Sequence, residues 1–379
     1  MKIGFDAKRL FVNNTGLGNY SRTLVENLHR FRPEHDLYLY SPRIVRNERS
    51  EAFFESGYRM REPVGPAKIG WRSFGMTHAL LRDGIELYHG LSHELPFNIA
   101  SSKIPSVVTI HDLLYKYFPM DFPLLDRWVY EKKFRSACEK ADRIIAISEA
   151  TRNDIMEHFG TPQEKIKVIY QTIHPIFRET PTPDTFHAVT DKYNLPSEFI
   201  LYVGSIIRRK NLEVLIKALD LMPAKKRLPL VVVGNGKIYL DYIDQLIDDL
   251  KLHHNIIRIK NPSLNEINAL YCLASISVYP SLMEGFGLPV LESIACGTPV
   301  ITTRRSSLIE AGGRVAYYID GGDEEELAAL LNEKIGSKED FQKDPERERH
   351  LARFQPETLT GQLNDLYLEV RKKIGRAHV

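Results

Sequence analysis

The sequence has almost no net charge. Its 51 basic and 49 acidic residues leave +2 at pH 7. This balance excludes the whole-molecule positive field with which proteins attract nucleic acid, so no nucleic-acid partner is expected. A local excess remains in residues 43–82, where eight basic and four acidic residues surround Trp71 and Phe74. We interpret this stretch either as a contact surface for an anionic membrane or acceptor, or as an ordinary solvated face.

Cysteine and long apolar runs are also scarce. Cys138, Cys272 and Cys296 form an odd set without C-x-x-C spacing, which argues against a disulfide framework and against a structural zinc site. No apolar run approaches the roughly 18 residues of a membrane span, and charges interrupt the first nine residues. We therefore expect a cytoplasmic protein, peripheral at the inner face of the membrane if it contacts one.

Short β-branched or aromatic runs alternate with longer amphipathic stretches along the whole chain, which is typical of α/β folds with parallel sheets. At 379 residues the chain is long enough for two domains. Helical and strand periodicity lapses over residues 173–197, which contain four prolines. The predicted domains are residues 1–175 and 196–355, with a linker over 176–195. Predicted strands lie at 2–6, 37–40, 85–89, 106–110, 143–147, 167–170, 199–203, 230–233, 256–259, 276–279 and 299–302.

A short glycine loop, Gly16-Leu17-Gly18, precedes a predicted helix. It matches only part of a dinucleotide-binding fingerprint, and nine residues separate it from the strand that ends at Asp6, whereas a Rossmann loop follows its strand directly. The backbone amides of such a loop can still hold phosphate or sugar. A plain tight turn is the alternative.

The most informative segment is residues 281–299, which is predicted to be a loop followed by a short helix. Pro289 suits the first helical turn, and Gly297 suits its left-handed end. Glu284 precedes this helix and Glu292 lies one turn inside it, with seven residues between them. Two carboxylates at this spacing can each accept paired hydrogen bonds from the hydroxyl groups of one elongated ligand. Two solvated acids at a helix end are the alternative.

Residues 284–299 resemble the E-x7-E signature of retaining glycosyltransferases of family 4, the glycosyl transferases group 1, which have the GT-B fold. Further segments extend the resemblance over nearly the whole chain: the Asp6 strand end, Gly16-x-Gly18, 109–113, 147–151, 202–205, 209–212 and 234–236. The resemblance implies two Rossmann-like α/β domains with parallel sheets that face each other across a cleft. It also implies that a final helix, residues 357–373, packs back on the first domain.

The resemblance also implies roles for individual residues. Glu284 would hold hexose hydroxyls, Glu292 would bind the ribose, and Arg209 with Lys210 would neutralise the departing diphosphate. His111, which ends the strand 106–110, would lie beside the reacting sugar, and its neutral imidazole could donate to a hexose hydroxyl or polarise nearby backbone. The remaining donor-binding positions would be Gly16, Gly18, Gly204, Ser205, Phe286, Gly287 and Leu288.

The charge-neutralising role of Arg209 and Lys210 also has a physical argument. The sequence contains no Asp-x-Asp motif to hold a divalent metal against the diphosphate, so another group must stabilise the developing charge. No metal and no resident cofactor are therefore expected. Two positions depart from the family's common pattern, Gln171-Thr172 in place of Asn-Gly and Gly204-Ser205 in place of Gly-Arg.

These inferences predict a retaining, metal-independent hexosyltransferase. Its donor would be a nucleotide diphosphate sugar, and its acceptor a saccharide or lipid-linked molecule of cell-surface polysaccharide or lipopolysaccharide synthesis. The first 25 residues favour a mannosyl donor with GDP. One alternative is a GT-B enzyme that acts on a soluble sugar, of the sucrose-synthase or glycogen-synthase type. The other is a nucleotide-sugar sensor without turnover.

Overall fold

The computed structural model describes residues 1–13, 16–55, 57–63 and 70–376. The chain folds as two compact units. The first unit comprises Met1–Thr172 together with Phe354–Val379, and the second comprises Ile173–Arg353. Each unit is built on one sheet in which every neighbouring pair of strands is parallel. The expected α/β class with two Rossmann-like parallel sheets is confirmed.

The first sheet has seven strands within the described residues, in the order β3-β2-β1-β4-β5-β6-β7. Their bounds are β1 Lys2–Asp6, β2 Asp36–Tyr40, β3 Tyr58–Arg61, β4 Leu87–Gly90, β5 Ser106–Ile110, β6 Arg143–Ala146 and β7 Ile166–Val168. The strand order reverses between β1 and β4, because β1 pairs with β2 on one side and with β4 on the other. In open parallel sheets, ligands bind outside the carboxyl ends of the strands at such a switch point.

The second sheet repeats this plan with six strands among the residues described, in the order β10-β9-β8-β11-β12-β13. Their bounds are β8 Ile200–Val203, β9 Leu230–Val233, β10 Ile256–Ile259, β11 Ile276–Tyr279, β12 Val300–Thr303 and β13 Tyr317–Ile319. Its switch point lies between β8 and β11. The loops that follow these two strands are therefore the expected ligand-binding positions of the second unit.

Helices connect most of the strands. The first six are α1 Lys8–Val12, α2 Gly16–Phe31, α3 Met76–Asp83, α4 Leu114–Tyr117, α5 Leu124–Lys140 and α6 Glu149–Phe159. The next nine, in the second unit, are α7 Pro183–Tyr193, α8 Leu212–Leu221, α9 Ile238–Asp249, α10 Leu264–Leu273, α11 Leu288–Ala295, α12 Leu308–Gly312, α13 Glu324–Lys334, α14 Lys338–Lys343 and α15 Pro345–Ala352. The last helix, α16 Pro356–Arg376, returns to the first unit and packs on α2.

Strands that are covered on both faces form the cores of the two units. All five residues of β5 are buried, which suits a central strand of a parallel sheet with helices on both sides. From α16, Tyr367 is fully buried, and its hydroxyl lies 2.6 Å from Nδ1 of His89 on β4. Among the described residues, no helix combines the length and the apolar character needed to cross a membrane.

The prediction of a linker over residues 176–195 is wrong. The second unit begins at Ile173, and residues 183–193 form helix α7, which packs on α10. Thr182 caps this helix by accepting a hydrogen bond from the Thr185 amide, and Pro183 occupies the first turn, where its missing N–H removes no hydrogen bond. The side-chain amide of Asn268 on α10 donates to the carbonyls of Ile176 and Glu179, at 2.7 and 2.9 Å. Two of the four prolines therefore begin helical segments, Pro175 a 3-10 turn and Pro183 helix α7.

Candidate active site

The residues predicted to bind the diphosphate and the hexose come together at the switch point of the second sheet. Arg209 and Lys210 lie in a 3-10 turn, Arg208–Lys210, that follows β8. Glu284 lies in the loop between the end of β11 and the start of α11. Since β8 and β11 are neighbours in the sheet, the two loops meet at its carboxyl edge.

Glu284 accepts hydrogen bonds from four side chains, all at Oε1. Arg209 Nη1 donates at 2.8 Å, Lys210 Nζ at 2.5 Å and the Tyr279 hydroxyl at 3.0 Å, and Ser281 Oγ also donates. Only 11% of the Glu284 side chain and 13% of each of its two cationic partners is exposed. The cluster is therefore a largely desolvated ion triplet with two positive charges and one negative charge.

The charge state of Glu284 follows from two opposing effects. Burial disfavours the carboxylate and raises its pKa, but the positive charges of Lys210 and Arg209 and the hydrogen bonds from Lys210 and Ser281 outweigh burial. The pKa of Glu284 therefore lies below its usual value. At neutral pH the residue is a carboxylate held in one position.

Tyr279 is a site residue that sequence reasoning missed. It is the last residue of β11, its side chain is buried, and its hydroxyl contacts both Glu284 and the ammonium of Lys210. Lys210 Nζ also lies 4.8 Å from the centroid of the Tyr279 ring. The only sequence signal was position, because Tyr279 ends a buried strand directly before the Glu284 loop. A tyrosine in an apolar strand is more commonly a core residue.

The turn before α11 depends on a glycine. Gly287 has φ of 118°, which favours glycine, and a Cβ there would lie 2.8 Å from Leu308 Cδ2 and 3.2 Å from Ala311 Cβ. Gly287 and its neighbour Phe286 are both buried, and Leu288 begins the helix. The backbone around residues 286–288 is therefore packed against α12, at a helix N-terminus that attracts anionic groups.

Glu292 has different surroundings from Glu284. It lies one turn into α11, where Oε2 accepts a hydrogen bond from the Tyr271 hydroxyl at 3.3 Å. Burial raises the pKa of Glu292 to about 7, and the hydrogen bond from Tyr271 opposes this only in part. The two glutamates of the E-x7-E segment therefore differ in charge at neutral pH, since Glu292 is partly protonated.

Gly204 and Ser205 follow β8 directly. The Gly204 amide donates to the Val233 carbonyl at 2.9 Å, and the Tyr202 hydroxyl donates to the Ser205 carbonyl at 3.2 Å. A Cβ at Gly234 would overlap the Gly204 carbonyl oxygen, so the two loops approach closely. The Ser205 side chain is exposed. Both residues thus lie at the switch point of the second sheet.

On the first unit, His111 follows β5 and is 3% exposed. Its Nε2 lies 2.8 Å from the Leu91 carbonyl oxygen, which can only accept, so Nε2 carries the proton and Nδ1 has a lone pair. Burial lowers the pKa of His111 to about 4, so the ring is neutral at physiological pH. Of the two contacts expected of a neutral His111, this tautomer makes the one with nearby backbone, through Nε2 and the Leu91 carbonyl, and leaves Nδ1 as an acceptor.

The basic stretch of residues 43–82 does not form one solvated face. Arg72 is 13% exposed and donates from Nε to Asp6 at 2.8 Å, and it also pairs with Glu94. Burial opposes its charge, but the two carboxylates outweigh burial and raise the pKa of Arg72. Arg46 pairs with Glu51 at the surface. Residues 56 and 64–69 of this stretch lie outside the described residues.

Gly16 and Gly18 form the first turn of α2. A Cβ at Gly18 would overlap the Asn13 carbonyl oxygen, whereas a Cβ at Gly16 would meet no atom within 4 Å. The Gly18 amide donates to Asn13 Oδ1 at 3.1 Å. Gly18 therefore permits a close backbone approach, and Gly16 leaves room in front of the helix.

No group of three or more His, Cys, Asp and Glu side chains that could hold a metal ion occurs within the described ranges. Arg209 and Lys210 are the cations that contact Glu284 at the switch point of the second sheet. These two cations can stabilise a developing negative charge in a poorly hydrated site.

Comparisons with known proteins agree with this architecture. O-antigen chain mannosyltransferase B of Escherichia coli is 27% identical over 359 residues, which cover 88% of this chain and 91% of the relative. The crystal structure of Anabaena Alr3699/HepE in complex with UDP matches with a TM-score of 0.75 at 16% identity, over 97% of this chain and 100% of that chain. Sucrose-phosphate synthase from Thermosynechococcus elongatus matches with a TM-score of 0.76 at 18% identity, over 98% and 99% of the two chains. The two structures are similar in fold.

Two family models match the chain in succession. Glycosyltransferase Family 4 matches residues 14–175, and Glycosyl transferases group 1 matches residues 188–349. The first match lies in the unit that holds His111, and the second includes Arg209, Lys210, Glu284 and Glu292. Because the two models account for most of both units, this chain belongs to the group 1, family 4 glycosyltransferases of GT-B fold.

Proposed function

We propose that this glycosyltransferase is a retaining hexosyltransferase that transfers mannose from a nucleotide diphosphate sugar, GDP-mannose, to a saccharide or lipid-linked acceptor in O-antigen or lipopolysaccharide synthesis. The sugar and the pathway are supported by the similarity to an O-antigen mannosyltransferase over most of both chains. The fold does not favour one acceptor, since a sucrose-phosphate synthase has a similar structure.

The ion triplet of Arg209, Lys210 and Glu284 is the observation that carries the proposal. Two cations face one carboxylate at the carboxyl edge of the sheet, so the three side chains together carry a charge of +1, which favours an anionic ligand. A guanidinium has five donors and an ammonium three, so both groups can bind phosphate oxygens while they remain bonded to Glu284. We assign the diphosphate to the two cations and the hexose hydroxyls to Glu284.

The remaining donor contacts come from α11 and the neighbouring loops. The helix N-terminus near Phe286, Gly287 and Leu288 favours a phosphate or sugar oxygen. Glu292, one turn further on, is assigned to the ribose hydroxyls, because its carboxylate form can accept hydrogen bonds from them. Gly204 and Ser205 are assigned to the donor because they lie at the same switch point. Gly16, with open space before α2, and Gly18, which shapes the turn, complete the proposed donor set.

The chemical step needs a leaving-group stabiliser more than a nucleophile from the protein. As the bond between the sugar and the phosphate breaks, negative charge grows on the phosphate oxygen, and Arg209 with Lys210 can stabilise that charge without a metal. Glu284 accepts four hydrogen bonds and is poorly suited to attack the sugar. We propose that the departing phosphate oxygen takes the acceptor proton on the same face, which retains the configuration. His111 is assigned to accept a hydrogen bond from the sugar through Nδ1.

The test combines ligand binding with product analysis. Thermal shifts with UDP, GDP, ADP and their sugars identify the donor, because a ligand that binds only the native state raises stability by mass action. Incubation with GDP-mannose and a mannose oligosaccharide on a synthetic lipid should then give an α-linked mannoside, identified by NMR. Activity should persist in EDTA. An inverted product or a requirement for a divalent metal would refute the proposed mechanism, and transfer to soluble sugars of the sucrose or glycogen type but to no O-antigen or lipopolysaccharide saccharide would refute the proposed acceptor.

A further inference from the structure

Two of the three cysteines meet between helices α10 and α11 of the second unit. Cys272 lies near the end of α10, and Cys296 directly follows α11. Their Sγ atoms lie 3.7 and 3.2 Å from the same atom, Oδ1 of Asn268. Cys272 Sγ also lies 3.9 Å from the Cys296 carbonyl oxygen, and the two thiols are hydrogen-bonded to each other. The fold therefore pairs two thiols that are 24 residues apart in the sequence.

The orientation of Asn268 is fixed by backbone groups. Its Nδ2 donates to the carbonyls of Ile176 and Glu179, at 2.7 and 2.9 Å. Both amide hydrogens are therefore used, and the oxygen of the amide is the atom that faces the thiols. Cys296 Sγ lies in addition 3.6 Å from the Phe177 carbonyl oxygen. The thiol pair thus lies among hydrogen-bond acceptors that hold both sulfurs in place.

The two thiols differ in acidity. The hydrogen bond from Cys296 and the positive charge of Lys338 lower the pKa of Cys272, although burial opposes them. Lys338 is held beside Cys272 because its Nζ donates to the carbonyls of Cys272 and Ala274, at 2.5 and 2.7 Å. The hydrogen bond to Cys272 and burial together raise the pKa of Cys296. Cys272 is therefore the nucleophilic thiol of the pair, because the thiolate is the reactive form.

A small molecule can reach the thiol pair. Cys272 and Cys296 are both partly exposed, and both line one cavity of about 490 Å³ in the second unit. The third cysteine, Cys138, has different surroundings. It is buried in the first unit, and burial raises its pKa to about 12. Reactive cysteines combine access with a lowered pKa, so the chemistry of Cys272 and Cys296 should be separable from that of Cys138.

We propose that Cys272 and Cys296 are a peroxide-sensitive dithiol, which closes to a disulfide and thereby weakens nucleotide binding by the second unit. The Cys272 thiolate attacks one oxygen of hydrogen peroxide, the O–O bond breaks, and the departing hydroxide takes a proton to become water. The Cys296 sulfur then attacks the sulfur of the sulfenic acid, the S–O bond breaks, and the departing hydroxide takes the Cys296 proton. The two sulfurs lose two electrons, and hydrogen peroxide is reduced to two molecules of water. Dithiols in reducing compartments use such transient disulfides as redox sensors.

The effect on the nucleotide follows from what surrounds Glu292. The hydroxyl of Tyr271, the residue before Cys272, donates to Glu292 Oε2 at 3.3 Å. The Cys296 amide donates to the Glu292 carbonyl at 3.0 Å. A covalent bond between the sulfurs draws α10 and the end of α11 together, so the contact between Tyr271 and Glu292 changes. This effect rests on the proposed assignment of Glu292 to the ribose, whereas formation of the disulfide does not.

Mass spectrometry and thiol titration of the reduced full chain provide the first test. Hydrogen peroxide should leave one of the three thiols titratable, and the peptides that contain Cys272 and Cys296 should stay joined until dithiothreitol is added. Cys272→Ser should lose thiols about tenfold more slowly, because the nucleophile is absent. Cys296→Ser should accumulate a sulfenic acid on Cys272, which dimedone traps. The control, Cys138→Ser, should form the disulfide at the wild-type rate.

Calorimetric titration provides the second test, with whichever of UDP, GDP and ADP gives the largest thermal shift. The disulfide form should bind this nucleotide about three- to tenfold more weakly than the reduced form, as expected when one hydrogen-bonded contact is disturbed. Dithiothreitol should restore the affinity. Cys272→Ser/Cys296→Ser should bind the nucleotide equally before and after treatment with peroxide, which controls for oxidation elsewhere in the chain.

Three results would overturn the proposal. The first is retention of all three thiols in peroxide, and the second is a disulfide that includes Cys138 or joins two chains. The third is equal nucleotide affinity of the reduced and disulfide forms, which would refute the effect on binding. If the reduced chain binds none of the three nucleotides, the proposed function fails together with that effect, and the first test still decides whether the disulfide forms.

Discussion

At the residue scale, Glu284 and Glu292 show how one short segment holds two carboxyl groups in different charge states. Both lose water contact, which raises their pKa. Glu284 is compensated by two cations, whereas Glu292 has one hydroxyl partner, Tyr271. Burial therefore prevails at Glu292 and the cations prevail at Glu284. The free energy of unfolding and the affinity for the donor should depend on pH through Glu292.

The first residue-scale prediction concerns Lys210. Lys210→Ala removes one of two cations from the leaving-group site, and we expect kcat to fall about 10²–10³-fold, as for other groups that stabilise transition-state charge. Arg209 still pairs with Glu284, so the variant should stay folded with a similar circular dichroism spectrum. Steady-state kinetics at saturating donor provide the measurement. Lys217→Ala, which removes a half-exposed lysine paired with Glu213, is the control, and full turnover by Lys210→Ala would refute the charge-stabilisation role.

The second residue-scale prediction concerns Glu292. Its pKa is about 7 in the folded protein against 4.5 for an ordinary glutamate, so the proton is bound more tightly in the native state. The free energy of unfolding contributed by Glu292 is therefore highest below about pH 4.5 and is lost as the pH rises through 7. Glu292→Gln should be more stable than the wild type at pH 8, by on the order of 2 kcal/mol, and nearly equal at pH 5.

Ligand affinity should follow the opposite trend. A carboxylate accepts hydrogen bonds from two ribose hydroxyls better than a carboxylic acid does. Nucleotide binding to the wild type should therefore tighten as the pH rises from 6 to 8. Glu292→Gln should bind weakly at both values. Urea unfolding and calorimetric titration at each pH provide the measurements. The exposed Glu198→Gln controls for a surface charge change, and equal stability differences at pH 5 and 8 would contradict the assignment.

Sequence reasoning found Arg209, Lys210 and Glu284 because each occurs in a recognisable motif. The structure brings these three together. Sequence reasoning missed Tyr279, and it left open which group the His111 ring contacts, which the bond to Leu91 indicates. Both gaps have one cause. The tautomer of a histidine and the partner of a strand-end tyrosine depend on residues from other strands, which local spacing does not reveal.

At the element scale, the central strands were predicted well, because buried parallel strands form continuous apolar runs. The strand β3, Tyr58–Arg61, and the strand β13, Tyr317–Ile319, were missed. Both are sheet-edge strands without full burial, so their sequences lack such a run. Helix α7 was missed because its prolines indicated a linker, although Thr182 and Pro183 also form a helix start. Edge strands need tertiary information that periodicity lacks, whereas the start of α7 is a local capping signal that periodicity does not register.

An element-scale prediction distinguishes the two glycines at the start of α2. In Gly18→Ala the new methyl group would overlap the Asn13 carbonyl, so we expect the free energy of unfolding to fall by about 1–3 kcal/mol. In Gly16→Ala the methyl group meets open space, and alanine favours the helix, so stability should stay the same or rise by about 0.5–1 kcal/mol. Chemical denaturation of both variants measures the difference. Equal destabilisation would contradict the close approach at Gly18.

At the scale of the whole molecule, the chain leaves its first unit after Thr172 and returns to it at Phe354. The last helix supplies core residues to that unit, and Tyr367 is fully buried there. Arg209, Lys210, Glu284 and Glu292, which are assigned to the diphosphate, hexose and ribose, lie within Ile173–Arg353, whereas Gly16, Gly18 and His111 lie in the first unit. A substitution in α16 should therefore lower the stability of the first unit without weakening the donor contacts made by the second unit.

Tyr367→Ala tests this separation. The substitution opens a cavity and leaves Nδ1 of the buried His89 without its hydroxyl partner. The free energy of unfolding of the first unit should therefore fall by about 3–5 kcal/mol, which calorimetry would detect as a lower Tm. At a temperature where the variant is still folded, its Kd for the nucleotide should equal that of the wild type. Leu368→Ala, at a 36% exposed position of the same helix, should change neither quantity much. A matching loss of nucleotide affinity in Tyr367→Ala would mean that the donor contacts assigned to Gly16 and Gly18 depend on the packing of α16.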